Sequence, residues 1–294
     1  MGRPARRTIP GVLYVETPAG PPVPVLFDSP HSGVDMPDDF AAAVSEQALL
    51  DCADLYVDEL YASASARGVV QVCALFPRAY IDPNRAESDI DAELLDGEWP
   101  GPVEQSMKTE LGIGLVWRLA APGVPMYARK LSVDEVKNRI ETYYRPYHSE
   151  LQSHLDELHG RFGAVWHVDC HCMKSRGNAM TPDGGRDRPD FVVSDGRGIT
   201  CGPAFTAFVS DTLRGMGYSV AINDPFQGAE VIHRHGDPAK NRHSLQIEIN
   251  RGLYMDEDSG EKTEGFDPLK AHLDQLTADI CDFAMKRCEA GTAA

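Results

Sequence analysis

Val165-Trp166-His167-Val168-Asp169-Cys170-His171 reads as a buried strand that breaks off at a histidine. Pro24-Val25-Leu26-Phe27-Asp28-Ser29-Pro30-His31-Ser32-Gly33 has the same form, an apolar run followed by a histidine where the chain must turn. In an open α/β sheet ligands bind beyond the carboxyl ends of the strands, so His31 and His171 can meet there despite their distance in sequence. That geometry suits a metal ion.

Outward from these two stretches the chain alternates strands and helices. A helical stretch over about 45–67, closed by Gly68, follows His31, and a second strand spans 69–75. Tyr80-Ile81-Asp82 leads into Pro83-Asn84-Arg85, where the proline stops regular pairing. The acidic, Gly- and Pro-rich segment 89–123 reads as a long excursion over the sheet and the place for a mobile lid. Ser132-Val133-Asp134-Glu135 is a capping box opening a long helix with apolar residues at 133, 136, 140, 144, 147, 151, 155, 158 and 162, kinked at Pro146. Strands at 164–169, 190–193, 218–222 and 244–250, a helix over 201–216 and a final amphipathic helix through Leu269, Leu273, Leu276, Ile280 and Phe283 complete the pattern. With no internal repeat and no clear linker, 1–294 reads as one α/β domain with a mixed sheet.

Composition narrows the function classes. The 294 residues are 42% apolar, enough for a substantial core. With 28 Lys+Arg against 45 Asp+Glu, the net charge of −17 repels nucleic acid and anionic membrane, so an anionic small molecule requires a locally basic pocket. The basic start, Met1-Gly2-Arg3-Pro4-Ala5-Arg6-Arg7-Thr8, has no apolar stretch after it, and no run approaches the ~18 apolar residues of a membrane span. Cytoplasm is the expected compartment, and the seven cysteines, with no C-x-x-C pair, read as reduced core thiols.

The polar residues at strand ends carry the chemistry. Asp169, two residues before His171, points to the same side of its strand and is placed to support a ligating imidazole. Cys170 and Cys172 lack the second cysteine pair of a thiolate zinc site, and His167 reads as a satisfied core or supporting histidine. A catalytic zinc takes three protein ligands, so two histidines leave one to find. The stretch after His31 offers Asp51, Asp54, Asp58 and Glu59, of which Asp54 and Asp58 share a helix face; the alternative is a solvated acidic face. In Ser244-Leu245-Gln246-Ile247-Glu248-Ile249-Asn250, Glu248 lies on the polar face of a strand and is a candidate general base, with a salt bridge to Arg242 or Arg251 as its structural alternative. Arg78 and Asn84-Arg85 lie on an irregular segment where a guanidinium can grip a carboxylate or steady an oxyanion.

Together these residues resemble the N-formylglutamate amidohydrolases (N-formylglutamate deformylases). The resemblance covers nearly the whole chain and rests on Ser29-Pro30-His31-Ser32-Gly33, Asp54-Leu55-Tyr56-Val57-Asp58-Glu59-Leu60-Tyr61, the run from Arg78 to Arg85, Tyr144-Arg145-Pro146-Tyr147-His148, Asp169-Cys170-His171, Asn223-Asp224-Pro225-Phe226-Gln227-Gly228 and the run from Gln246 to Met255. It implies a three-layer α/β/α fold with a mixed central sheet, like zinc-dependent exopeptidases and aspartoacylases, and one catalytic Zn2+. It implies His31, Asp54 and His171 as zinc ligands, Glu248 as general base and Arg78 as the group that polarises the scissile carbonyl. Asn84 and Arg85 would hold the substrate's α-carboxylate, and Arg129, Arg139 or Arg234 its side-chain carboxylate. Val34 stands where the H-x-x-E pattern of carboxypeptidase relatives has glutamate, which leaves Asp35 and Asp58 as substitutes for Asp54. The implied reaction releases glutamate and formate from N-formyl-L-glutamate, as in histidine catabolism. A zinc amidohydrolase of another N-acyl amino acid or small peptide is one alternative; a non-catalytic binding protein of the same fold is another.

Overall fold

The computed structural model describes residues 4–291. Its ten strands are β1 (Ala5–Ile9), β2 (Leu13–Thr17), β3 (Val25–Ser29), β4 (Val70–Ala74), β5 (Leu119–Ala121), β6 (Val124–Pro125), β7 (Val165–Met173), β8 (Phe191–Ser194), β9 (Val220–Ile222) and β10 (Arg242–Asn250). Eight form one mixed sheet in the order β1-β2-β4-β3-β7-β10-β8-β9, while β5 and β6 pair separately. The four central strands β4, β3, β7 and β10 run parallel, and β2 and β8 flank them antiparallel. All four central carboxyl ends therefore open on one edge, where a ligand is expected.

Alternation along the central strands divides the core between two clusters. Val25 and Phe27 of β3, Trp166, Val168, Cys170 and Cys172 of β7, and Leu245, Ile247 and Ile249 of β10 join one cluster. They pack with α6 (Pro203–Gly215) and α8 (Phe266–Glu289). Leu26, Val70, Val72 and Val165 join the other, with α4 (Val133–Arg139) and α5 (Arg145–Phe162). His167, Asp169 and His171 alternate with the apolar residues of β7, as Ser244, Gln246 and Glu248 do on β10. The register sets Asp169 beside Gln246 and His171 beside Glu248. A polar stripe thus runs along two neighbouring buried strands and ends at the open edge.

Three expectations change. First, β7 does not stop at His171, because β10 runs equally far and pairs Cys172 and Met173 with Ile249 and Asn250. Second, the stretch 45–67 is not one helix. It is α1 (Glu46–Cys52), α2 (Val57–Leu60) and a 3-10 turn at Ala64–Arg67, with Tyr56 at φ 66° in the gap. The break removes Asp54 and Asp58 from a common face. Third, 89–123 is packed structure rather than a loose covering. Ile90, Leu94, Leu115, Val116 and Trp117 are buried, and the segment includes the short helix α3 (Met107–Glu110).

The capping box at Ser132 and Glu135 forms as expected, and the long helix passes from α4 to α5 through a π turn at Ile140–Tyr144, just before Pro146. With no N–H, Pro146 cannot continue the α ladder, and the wider turn absorbs the defect. The remaining helix, α7 (Glu230–His235), lies beside β10. No helix among the described residues is long and apolar enough to cross a membrane.

Candidate metal centre and its pocket

His31 lies two residues past β3, on a turn pressed against the end of β4. Gly33 permits this approach: a Cβ there would stand 2.3 Å from the carbonyl carbon of Leu75. His171 projects from β7. Asp54 comes from the gap between α1 and α2, where its own N–H donates to the His31 carbonyl oxygen at 2.9 Å. One potential ligand atom from each of the three lies within 4.8 Å of the other two, and all three residues are buried.

The two imidazoles are held in matching ways. His31 Nε2 is 2.7 Å from Asp82 Oδ1 and His171 Nε2 is 2.6 Å from Asp169 Oδ1. Both Nδ1 atoms face one oxygen, Asp54 Oδ2, at 3.5 Å from His31 and 3.0 Å from His171. A carboxylate on one ring nitrogen fixes the tautomer that leaves the other free to ligate. His31 Nδ1 is buried without a hydrogen bond, which is costly unless something else occupies its lone pair. Two imidazole nitrogens and one carboxylate oxygen, each backed by a second polar group, form a donor set that fits a metal ion with an open position.

The charges agree with that assignment. Burial would raise the Asp54 carboxyl, but the hydrogen bond with His171, the adjacent His31 imidazole and the charge of Arg78 outweigh it and hold Asp54 well below the usual carboxylate range. Burial disfavours a charged His171, yet Asp169 and Asp54 prevail and raise its pKa well above the ordinary imidazole value. The site thus attracts positive charge.

Arg251 completes the support of Asp54. Its Nη2 donates to Ala53 O at 2.6 Å and lies 3.4 Å from Asp54 Oδ1, Nη1 reaches Asp51 O at 3.2 Å, and Nε lies 3.1 Å from Cys172 Sγ. These contacts catch the carbonyls freed where α1 ends. The expected substitutes for Asp54 lie elsewhere: Asp58 accepts from Tyr14 Oη at 3.1 Å and Asp35 is exposed.

Glu248 faces the same cavity, of about 540 Å³. Its Oε1 accepts from Gln246 Nε2 at 2.8 Å. Its two expected salt-bridge partners are engaged elsewhere, Arg242 with Asp156 and Arg251 with Asp54. Burial pushes the Glu248 carboxyl up to about 7, a value suited to exchanging protons near neutrality. Arg78 donates to Asp82 Oδ2 from Nε and Nη2 at 3.2 and 3.1 Å, and its guanidinium lies 5.1 Å from the Trp117 ring centroid.

Asn84 and Arg85 line the cavity. The Asn84 amide is already engaged: Nδ2 donates to Asp169 Oδ2 at 3.1 Å and lies 3.0 Å from His171 Nε2, while Oδ1 accepts from Val231 N at 2.8 Å. Arg85 donates to Ile113 O and Asn84 O, and its Nη2 is 3.7 Å from Asp82 Oδ2. The structure does not bring Arg129 or Arg139 to this cavity. Arg129 is exposed and paired with Glu135. Arg139 is buried among aromatic rings, donating to Tyr80 O and Tyr127 Oη. Arg234 is exposed beside Tyr144 and Glu230.

The sequence alone assigns no role to Asp82 or Lys108 and offers Arg251 only as a salt-bridge partner for Glu248. Asp82 and Arg251 stand inside runs already singled out, so position alone could have flagged them; Lys108 had no such signal. The histidine and cysteine readings agree with the structure. His167 is satisfied by Asp28 and Ser244 Oγ, and all seven cysteines are free.

Comparison with known proteins places this geometry. The family model for N-formylglutamate amidohydrolase matches residues 23–255. An N-formylglutamate deformylase of Pseudomonas putida is 29% identical over 245 residues, covering 80% of this chain and 83% of that protein. The crystal structure of an N-formylglutamate amidohydrolase from Ralstonia eutropha JMP134 superposes with a TM-score of 0.89 at 42% identity, over 94% of this chain and 99% of that one. The crystal structure of gene product Atu2144 from Agrobacterium tumefaciens shares the fold, with a TM-score of 0.64 at 18% identity, over 92% and 96% of the two chains. With its match across residues 23–255, this chain belongs to the N-formylglutamate amidohydrolase family.

Proposed function

We propose that this chain is a zinc-dependent amidohydrolase that converts N-formyl-L-glutamate to L-glutamate and formate, in the fold layering of the zinc exopeptidases. The observation that carries the reading is the convergence of His31, Asp54 and His171 on one point in a cavity that also presents Glu248. The names of the relatives supply the substrate.

His31, Asp54 and His171 would hold the metal, with Asp82 and Asp169 orienting the two rings. A bound Zn2+ supplies Lewis acidity and lowers the pKa of water toward neutrality. Glu248, ionised at the start of the cycle, takes the proton of the attacking water and returns it to the departing amine. Arg78, one edge of which is fixed by Asp82, stabilises negative charge on the carbonyl oxygen. Arg85 takes the α-carboxylate; Asn84, whose amide is engaged with Asp169, His171 and Val231, instead fixes the His171 ring. Glutamate as product fits a step of histidine catabolism, and free buried thiols fit a reducing compartment such as the cytoplasm.

The test pairs metal analysis with formate release, using protein purified without chelators. Wild type is expected to carry about one zinc per chain and to release formate from N-formyl-L-glutamate faster than from N-acetyl-aspartate, N-formyl-aspartate or short peptides. Glu248→Gln should retain zinc while kcat falls about 10²- to 10⁴-fold. Full turnover by that variant overturns the base assignment, and protein with neither zinc nor turnover favours a non-catalytic binding role.

A further inference from the structure

N-formyl-L-glutamate carries a second carboxylate, at the end of its side chain, and in a chain of net charge −17 that group needs a dedicated cation. Most cations around the cavity are already committed. Arg78 is held by Asp82, Arg251 by Asp54 and backbone carbonyls, and Arg188 by a two-pronged bond to Asp183 at 2.7 and 3.0 Å. Arg85 is assigned above to the α-carboxylate, and Lys174 is exposed at the rim.

Lys108 differs from all of these. Its ammonium has no carboxylate within salt-bridge distance among the described residues, and it lies over the Phe226 ring, 5.9 Å from the centroid. It lines the cavity on α3, half-buried. Burial and the charges of Arg85 and Arg78 bring its pKa down to about 8, so it remains charged at neutral pH at a cost in free energy. The turn that presents it is pinned: Asp89 accepts hydrogen bonds from Ser106 N and Oγ, both at 2.8 Å, and from Thr109 Oγ1. A partly desolvated, unpaired ammonium on a fixed turn, in a chain with 45 carboxylate side chains available, is a group whose partner comes from outside.

We infer that Lys108 binds the side-chain carboxylate of the substrate and so sets the preference for an acidic N-formyl amino acid. This inference rests on the proposed deformylase reading. The pairing would be a charge-assisted hydrogen bond from Nζ, in a cavity where the Phe226 ring borders the ammonium.

The test compares N-formyl-L-glutamate with N-formyl-L-glutamine, which has nearly the same shape but no side-chain charge. Wild type, Lys108→Met and Lys108→Arg are assayed for formate release, with melting temperature read alongside. Wild type should prefer the glutamate substrate. Lys108→Met should lose about 10- to 100-fold in kcat/KM on it, mostly through KM, and lose much less on the glutamine substrate. Lys108→Arg should retain most of the preference. A Lys108→Met variant that keeps the wild-type preference, or loses equally on both substrates, overturns the inference while leaving the deformylase reading intact. Should Lys108→Met melt early, a Lys108→Arg variant with no preference left decides against the inference. Wild type that releases formate from neither substrate overturns the deformylase reading, and the inference with it.

Discussion

Two histidine–aspartate clusters lie along β7, their histidines two pleat repeats apart, and they are built on opposite plans. In the deeper one, His167 Nε2 contacts Asp28 Oδ1 at 2.8 Å and His167 Nδ1 contacts Ser244 Oγ at 2.7 Å, while the other Asp28 oxygen accepts from Tyr147 Oη at 2.7 Å. Every polar atom there has a partner of its own. In the cluster at the strand ends, both Nδ1 atoms crowd one Asp54 oxygen, and His31 Nδ1 has no hydrogen bond. Burial and residue types are alike, so neither separates function from structure. Sharing does: private partners make a rigid core, and lone pairs converging on one point leave room for a cation.

The sharpest way to break this contrast is to remove the corresponding histidine from each cluster. His171→Ala should abolish both stoichiometric metal and measurable formate release. His167→Ala should keep the metal and lose about 1 to 3 kcal/mol of stability in a urea melt, from the partners it leaves unsatisfied. Equal metal loss in both variants would dissolve the distinction. A smaller effect follows from the supporting carboxylates: Asp82→Asn should weaken metal affinity about 10- to 100-fold in competition with a chelating dye, whereas Asp28→Asn should leave it within error.

The smallest effect lies outside both clusters, at the cavity wall. Arg188 holds the Asp183 carboxyl down at about 2. A depressed carboxyl stabilises the fold above its unfolded pKa of about 3.9, and that contribution fades as pH falls toward the folded value. The stability gap between wild type and Asp183→Asn should therefore be constant above about pH 5 and shrink steadily as acid is added below about pH 4. A gap that persists unchanged into acid would show that the pair acts through packing rather than charge.

The contrast also explains what sequence could and could not show. Strict alternation made β7 and β10 readable, and with them the polar face that carries His171 and Glu248. The capping box at Ser132 was equally legible, since its bonds are local. The break between α1 and α2 was not. Neither Gly nor Pro marks 53–56, and the helix stops because tertiary contacts from His31 and Arg251 claim its backbone. Arginine count misled in the same way. Arg139 reads as a free cation, but its guanidinium lies 4.0 Å from the Tyr80 ring centroid in the core. Lys108, on an aperiodic segment, becomes distinctive only through what fails to surround it.

Arg251 has a consequence for how the protein comes into being. It is made 197 residues after Asp54, yet it ties down the loop bearing that carboxylate. A nascent chain that has emerged only as far as β8 already contains all three proposed metal ligands but lacks both this tether and Glu248. On the proposed reading, the docking of β10 would bring the tether and the general base to the three ligands in a single step.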